Sequence, residues 1–205
     1  MIVGLAGKVC SGKSSLAEVF ARRGFFLVNA DALGHEVLEQ KRGQIRGRFG
    51  DLAAPEGHPV DRAYLSTLVF SDKKALQDLE AIVHPGVLAL VQQKLAQAGT
   101  RPVLLEAAVL HRGGLLALCD AVVWVQAPWW KRFWRARRRD RRSWKLLLSR
   151  EWSQRTFSIK AFLRDVDTYT VDNGKDLKAA RQSLELLLDR LENQKADFLN
   201  GARQK

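Results

Sequence analysis

The sequence predicts an α/β domain: a parallel five-stranded sheet with helices on both faces. Three observations predict it. Short apolar runs alternate with longer segments of helical spacing. A glycine-containing loop, residues 7–14, joins the first apolar run to the first helix. The second apolar run follows that helix directly, so strand, loop, helix and strand form a βαβ unit whose two strands run parallel.

Residues 2–6, IVGLA, form a short apolar run ending at glycine and read as a buried strand. Residues 14–23 carry Leu16, Ala17, Val19 and Phe20 at helical spacing, and Gly24 ends the helix. Residues 25–29, FFLVN, read as the second strand and residues 31–40 as a helix. Residues 42–60 are rich in Gly, Pro and His and read as loop, with room for one helical turn. Residues 61–70 and 72–99 read as two helices, the second broken or kinked near Val83–His84 by Pro85. Residues 103–106 and 121–125 are the third and fourth strands. Residues 129–163 are helical by composition, in two pieces, and residues 169–171 form a short fifth strand. Leu177, Leu184, Leu187 and Leu191 mark a final amphipathic helix, after which the tail from Lys195 is polar and frayed.

A chain of 205 residues with 46% apolar and 27% charged residues is one globular domain, not a disordered segment. No apolar run reaches the roughly 18 residues that span a bilayer, so no membrane partner is expected. The first residues do not read as a secretory signal. Cys10 and Cys119 cannot make a disulfide framework, which argues for a reducing, cytoplasmic location. The formal charge of +12 points toward polyanions, but residues 131–150 alone carry +9 of it. The rest is nearly balanced. All six tryptophans, Trp124, Trp129, Trp130, Trp134, Trp144 and Trp152, lie in or beside that basic segment.

Gly7-Lys8-Val9-Cys10-Ser11-Gly12-Lys13-Ser14 fits G-x-x-x-x-G-K-[ST], after a strand and before a helix. Glycines allow positive φ and bring backbone N–H groups against phosphate oxygens. The helix start adds its positive end. Lys13 reaches the β- and γ-phosphates, and the Ser14 hydroxyl ligates magnesium. The fold expectation is therefore of the P-loop NTPase type. The length argues against a motor, and no NKxD-like segment specifies guanine. A small-molecule kinase needs an orienting carboxylate, cations on the transferring phosphoryl and a lid. Asp31 lies just past the second strand, on the edge where α/β proteins bind ligands. It suits a base or a share of the magnesium shell, and equally an N-cap. Glu106 ends the third strand, either as a second carboxylate near magnesium or as an ordinary strand-end acid. Arg135 and Arg139 share one helix face and suit a triphosphate clamp, because the guanidinium fork is bidentate to phosphate. Most other arginines here read as a solvated face.

Together these residues resemble the dephospho-CoA kinase family, from residue 2 to about residue 190. GLAGKVCSGKS is similar to the family's GLTGGIGSGKS, and VNADALGHEVL to its IDAD…REVV segment. Asp61-Arg62-Ala63 with Val69-Phe70 resembles DR…L…VF, and residues 79–85, LEAIVHP, match LE-x-I-x-HP. Arg135-x-x-x-Arg139-Asp140 resembles the lid motif R-x-x-x-RD. Gln154 with Lys160 resembles Q-x-x-x-x-x-K, and Asp172-Asn173 the closing DN.

The resemblance implies phosphorylation of the ribose 3′-hydroxyl of dephospho-CoA by ATP with magnesium. It implies catalytic roles for Asp31, Lys13 and Arg139. Gly7, Cys10, Ser11, Gly12, Lys13, Ser14 and Ser15 would hold the nucleotide, with Arg135, Arg139 and Asn173, the last near the adenine. Asp31, Arg62, His84 and Glu106 would face the acceptor, and Ser14 and Asp31 the metal. The implied division is a core at approximately 1–32, 100–127 and 165–195, an acceptor subdomain at 33–99, a lid at 128–164 and a polar tail at 196–205.

Four departures stand out, the tryptophan-rich stretch Trp129, Trp130 and Trp134 among them. Asn29 replaces the first acid of DAD, Gly7-Lys8-Val9-Cys10 replaces GGIG, and Ala108-Val109-Leu110-His111-Arg112 replaces PLLFE. The phosphate-binding core thus keeps the family pattern while the acceptor side diverges. Two alternatives stand beside this reading: another P-loop nucleoside or nucleotide kinase, and a P-loop protein that binds nucleic acid through residues 129–152. Packing of one lid-helix face accounts for Trp130 and Trp134 as well, so nucleic acid is not the expected partner.

Overall fold

The computed structural model describes residues 1–108, 110–139, 159 and 165–202. Five strands, β1 (Ile2–Ala6), β2 (Phe26–Asn29), β3 (Val103–Glu106), β4 (Ala121–Gln126) and β5 (Asp167–Asp172), form one sheet in the order β2-β3-β1-β4-β5. Every pairing is parallel. Parallel strands buried on both faces read as unbroken apolar runs rather than alternating ones. That is why VLLE and AVVWV are almost wholly buried. The expected α/β class and all five strands are observed.

The helices are α1 (Lys13–Arg22), α2 (Ala30–Gln40), α3 (Arg42–Phe49), α4 (Arg62–Ser71), α5 (Lys73–Ala98), α6 (Trp129–Arg139) and α7 (Leu177–Ala202). One face of the sheet packs on α1 and α7 through Leu16, Phe20, Leu184 and Leu188, all fully buried. Phe20 and Phe25 meet edge to face, with centroids 5.1 Å apart. At the rim, Arg23 pairs with Glu185 at 2.7 Å and also with Asp189 and Glu192 of α7. The other face packs on α2 and α5 through Val37, Val87 and Val91. A satellite core of Ile45, Ala53, Ala54, Val60 and Leu65 sits under α3 and α4.

Three elements differ from the sequence expectation. Residues 42–49, expected within a loop, form α3 despite Gly43 and Gly47. Fully buried Ile45 anchors it to the satellite core, with the exposed ion pairs of Arg46 to Asp51 and Glu56 adding little. The expected break at Pro85 is absent: α5 runs unbroken from Lys73 to Ala98. Proline in a helix interior costs about 3 kcal/mol, and packing offsets it. The next residue, Gly86, lets α2 approach so closely that an added Cβ would lie 2.7 Å from Val37. The final helix, expected to end near Leu191, continues to Ala202. Of the basic segment, α6 is described and residues 140–158 and 160–164 lie outside the described residues, Trp144 and Trp152 among them. Trp129, Trp130 and Trp134 are exposed rather than packed, whereas Trp124 is buried in β4.

The core makes a direct expectation. Phe20→Ala removes a fully buried ring and its edge-to-face contact, so stability falls by about 3–5 kcal/mol. Urea unfolding followed by circular dichroism measures it; a loss below about 1 kcal/mol would contradict this packing.

Candidate active site

Parallel strands bring their C-terminal ends to one edge, and the register aligns them. Leu5 of β1 and Asn29 of β2 both stand level with Glu106 of β3. The loop after β1, the start of α2 and the end of β3 therefore meet at one place.

The loop between β1 and α1 is built around positive φ at Gly7 (151°), Cys10 (58°) and Gly12 (101°). Gly12 has no alternative. An added Cβ there would fall 2.0 Å from the Asn173 side-chain nitrogen. Asn173 and Ser11 are both buried. The Asn173 amide donates to the Ser11 carbonyl at 2.8 Å, and the Asn173 backbone N–H to Gln126 at 2.8 Å. Arg135 of α6 donates to the Ser11 carbonyl at 3.2 Å and to the Asn173 carbonyl at 2.9 Å. The loop is thus fastened from below to the ends of β4 and β5 and to α6. No side chain caps the start of α1 and no acid lies in its first turn. Its N–H groups and positive helix end are therefore presented to an anion. Lys13 folds back to donate to the Gly7 carbonyl at 2.8 Å. Ser14 is exposed in the same turn and Ser15 is half-buried.

Asn29, not Asp31, caps α2: its side-chain oxygen accepts from Ala32 N–H at 3.0 Å. The residue that departs from the family pattern thus does the capping and leaves Asp31 available. Both Asp31 carboxylate oxygens accept from the Ala108 N–H, at 3.1 and 3.2 Å. This ties α2 to the loop after β3. Burial pushes the Glu106 carboxyl above its usual range; the Lys13 ammonium pulls it back, and Asp31 adds a smaller push upward. Those causes place Lys13, Glu106 and Asp31 in one electrostatic neighbourhood.

Beside Asp31 opens a cavity of about 370 Å³ between α2, α5 and the loop after β3. Leu38, Leu79, Val83, Val87 and Leu115 make its walls largely apolar. His84 lines it from α5 and packs against Gly113, whose φ is 65°. A Cβ at Gly113 would lie 3.0 Å from the His84 ring. Glu80 and Arg112 also line the cavity and form an ion pair. The Arg112 ε-nitrogen donates to His111 Nε2 at 3.4 Å. Burial first, and Arg112 second, hold the His111 imidazole below its ordinary pKa, against a smaller opposing pull from Glu80.

Of the residues singled out by sequence, the structure brings together the loop residues 7–15, Arg135, Asn173, Asp31, Glu106 and His84. Asn173 supports the loop from beneath. Arg62 opens α4 at an exposed position and is not part of the cavity wall. Arg139 ends α6, and its side chain, with Asp140, Gln154 and Lys160, lies outside the described residues. Arg112 and its contacts were not singled out as site residues. Their only sequence signals were Glu80 in LEAIVHP and the divergent segment 108–112.

The family model for dephospho-CoA kinase matches residues 1–178. A dephospho-CoA kinase from Treponema pallidum is 33% identical over 199 residues, covering 92% of this chain and 94% of its own length. The crystal structure of a Thermus thermophilus protein is similar with a TM-score of 0.78 and 30% identity, covering 93% of this chain and 97% of the other. Dephospho-CoA kinase from Campylobacter jejuni shares the fold, with a TM-score of 0.67 and 21% identity over 95% of this chain and 98% of the other.

Two outcomes follow from the geometry. Gly12→Ala forces Asn173 away from Ser11 and places a side chain at unfavourable φ. Equilibrium binding of a nucleoside triphosphate should weaken at least about tenfold, a change of about 1.4 kcal/mol, while the far-ultraviolet dichroism stays unchanged. His111 sets a pH dependence. An unfolded imidazole titrates near 6.5, and the folded one below that. The unfolded chain therefore binds more protons between the two values, and stability falls as pH drops through that window. His111→Gln should lessen the fall in melting temperature between about pH 7.5 and pH 5.5; identical profiles would remove His111 as its source.

Proposed function

The chain belongs to the dephospho-CoA kinase family, and on that premise we propose that it transfers the γ-phosphoryl group of ATP to the ribose 3′-hydroxyl of dephospho-CoA. The products are coenzyme A and ADP. The observation that carries the reading is the placement of Asp31, which faces the apolar cavity and shares the edge held by the phosphate-binding loop. The donor set fits a magnesium–nucleotide pair: an uncapped helix start, a lysine, an exposed serine hydroxyl and two nearby carboxylates.

ATP would supply the phosphoryl group, and magnesium would partly neutralise the charge that develops on it. Each remaining task falls to a side chain of this protein. The N–H groups at the start of α1 and Lys13 hold the β- and γ-phosphates. The Ser14 hydroxyl would ligate magnesium, and Asp31, just past the end of β2, would share that shell. Asp31 orients the acceptor hydroxyl and accepts its proton, and the Ala108 N–H keeps the carboxylate aimed. Glu106 stands at the end of β3 beside them, its carboxyl pushed upward first by burial and drawn back by Lys13. Arg135, held against the Ser11 and Asn173 carbonyls, adds positive charge beneath the phosphate-binding loop, and Arg139 would supply the cation for the transferring phosphoryl. The cavity takes the adenosine part of the acceptor, with His84 on its wall.

The division of labour is a core at approximately 1–32, 100–127 and 165–195, an acceptor part at 33–99 and a lid at 128–164. Among the described residues no helix is long and apolar enough to cross a membrane, and we place the activity in the cytoplasm.

A coupled assay of ADP release tests the reading: turnover should require dephospho-CoA, and phosphorylation of a different nucleoside or nucleotide in its place would overturn it. Asp31→Asn should lower kcat by about 10²–10⁴-fold and leave ATP binding within about twofold. Full retention of kcat would remove Asp31 from the base role.

A further inference from the structure

The acceptor cavity is apolar except at a few points, and one of them is a charge pair. Glu80 on α5 and Arg112 in the loop after β3 both line it, with side chains 26% and 42% exposed. The two positions are 32 residues apart in sequence, so the pairing is made by the fold. It fixes the guanidinium on two sides. One η-nitrogen donates to Glu80, and the ε-nitrogen donates to His111 Nε2. The other η-nitrogen has no partner among the described residues. His111 can accept this bond because its imidazole is neutral at neutral pH, held so by burial and by Arg112 itself.

A guanidinium held in place with donors left over is a preorganised site for a bidentate anion. The same cavity is lined by Asp31. In the reading proposed above, Asp31 meets the ribose 3′-hydroxyl of the acceptor. The acceptor's diphosphate hangs from the 5′-carbon of that ribose. An acceptor in this cavity therefore carries an anion that must leave apolar walls or find a cation within a few bonds of Asp31.

Resting on that reading, we infer that Arg112 is the cation that binds the acceptor's diphosphate, and that Glu80 holds Arg112 in position until the acceptor arrives. Arg112 is a specificity-determining residue. It favours acceptors with a 5′-linked phosphate over bare nucleosides, and its segment, residues 108–112, is one of those that depart from the family pattern. Glu80 has a double effect: it orients the guanidinium, and its own negative charge opposes the incoming anion. The ion pair is the resting form of the subsite, and the acceptor replaces the Glu80 carboxylate as the partner of Arg112.

Initial-rate kinetics of the full chain test this, with dephospho-CoA and ATP each varied. Arg112→Met removes the charge and keeps the length. It should raise the KM for dephospho-CoA about tenfold, the scale of one lost charge-assisted contact, and leave the KM for ATP within about twofold. Arg112→Gln is the second truncation, with the same expectation, and thermal unfolding shows that each variant is folded. Glu80→Gln breaks the ion pair but keeps the cation, and should lower the KM for dephospho-CoA. An unchanged KM in both Arg112 variants overturns the inference. So does an equal rise in Arg112→Met and Glu80→Gln, which would make the pair a latch that shapes the loop. Absence of dephospho-CoA turnover by the parent chain overturns the proposed function instead, so the two failures are separable.

Discussion

The contact on which the site depends is the close approach of Asn173 to the backbone of Ser11 and Gly12. It spans 162 residues of sequence. It is possible only because position 12 has no side chain. Through it the phosphate-binding loop rests on the ends of two strands, since Asn173 also bonds to Gln126 at the end of β4. Arg135 then closes the bracket from α6 by bonding to the carbonyls of both Ser11 and Asn173. A glycine-containing loop alone has too much conformational freedom to hold several N–H groups toward one anion. Fastened from beneath by buried hydrogen bonds, it has that cost met before a ligand arrives, which is what preorganisation means energetically. Arg135 also makes α6 part of the loop's support. Movement of α6 and loop geometry are therefore coupled.

Most of the fold was legible because buried parallel strands are written as short apolar runs with sharp ends. Gly7 after IVGLA and Pro102 before VLLE are such ends. What was not legible follows from tertiary packing overriding local preference. The glycines at 43 and 47 argue against a helix, yet burial of Ile45 in the satellite core makes one. Pro85 argues for a break, yet the Gly86–Val37 approach keeps α5 whole. The site divides in the same way. The loop 7–14 was readable from spacing, because its chemistry is local. The roles of Asn29 and Asp31 were only half readable: both are good cap residues, and only the structure shows that Asn29 takes the cap. The Glu80–Arg112 pair and the Ser11–Asn173 contact join distant residues, and no single-sequence pattern encodes such a meeting.

The acceptor side shows how a diverged segment can keep its place while changing its chemistry. Ala108 offers a backbone N–H to Asp31, a bond open to any residue except proline, the residue that the family pattern has at this position. Gly113 and Gly114, both at positive φ, turn the chain back against His84 and Leu88. Between these anchors, positions 109–112 can vary without moving Asp31. Arg112 occupies one of them and meets Glu80, so a loop that carries a new charge is also held by it.

This separation has a consequence for how such an enzyme can change. The donor half depends on one buried bracket whose members support each other, so the loss of Asn173 or a side chain at Gly12 would disturb the whole loop. The acceptor half depends on a backbone hydrogen bond, an apolar wall and one partly exposed ion pair. Exposed pairs contribute little to stability, about 0–1 kcal/mol, so replacing this one need not threaten the fold. Positions 80 and 112 can therefore change at little cost to the fold, while the bracket under the loop tolerates no side chain at position 12. The divergence in residues 108–112, beside a loop that keeps Gly12, Lys13 and Ser14, falls where the fold depends least on particular side chains.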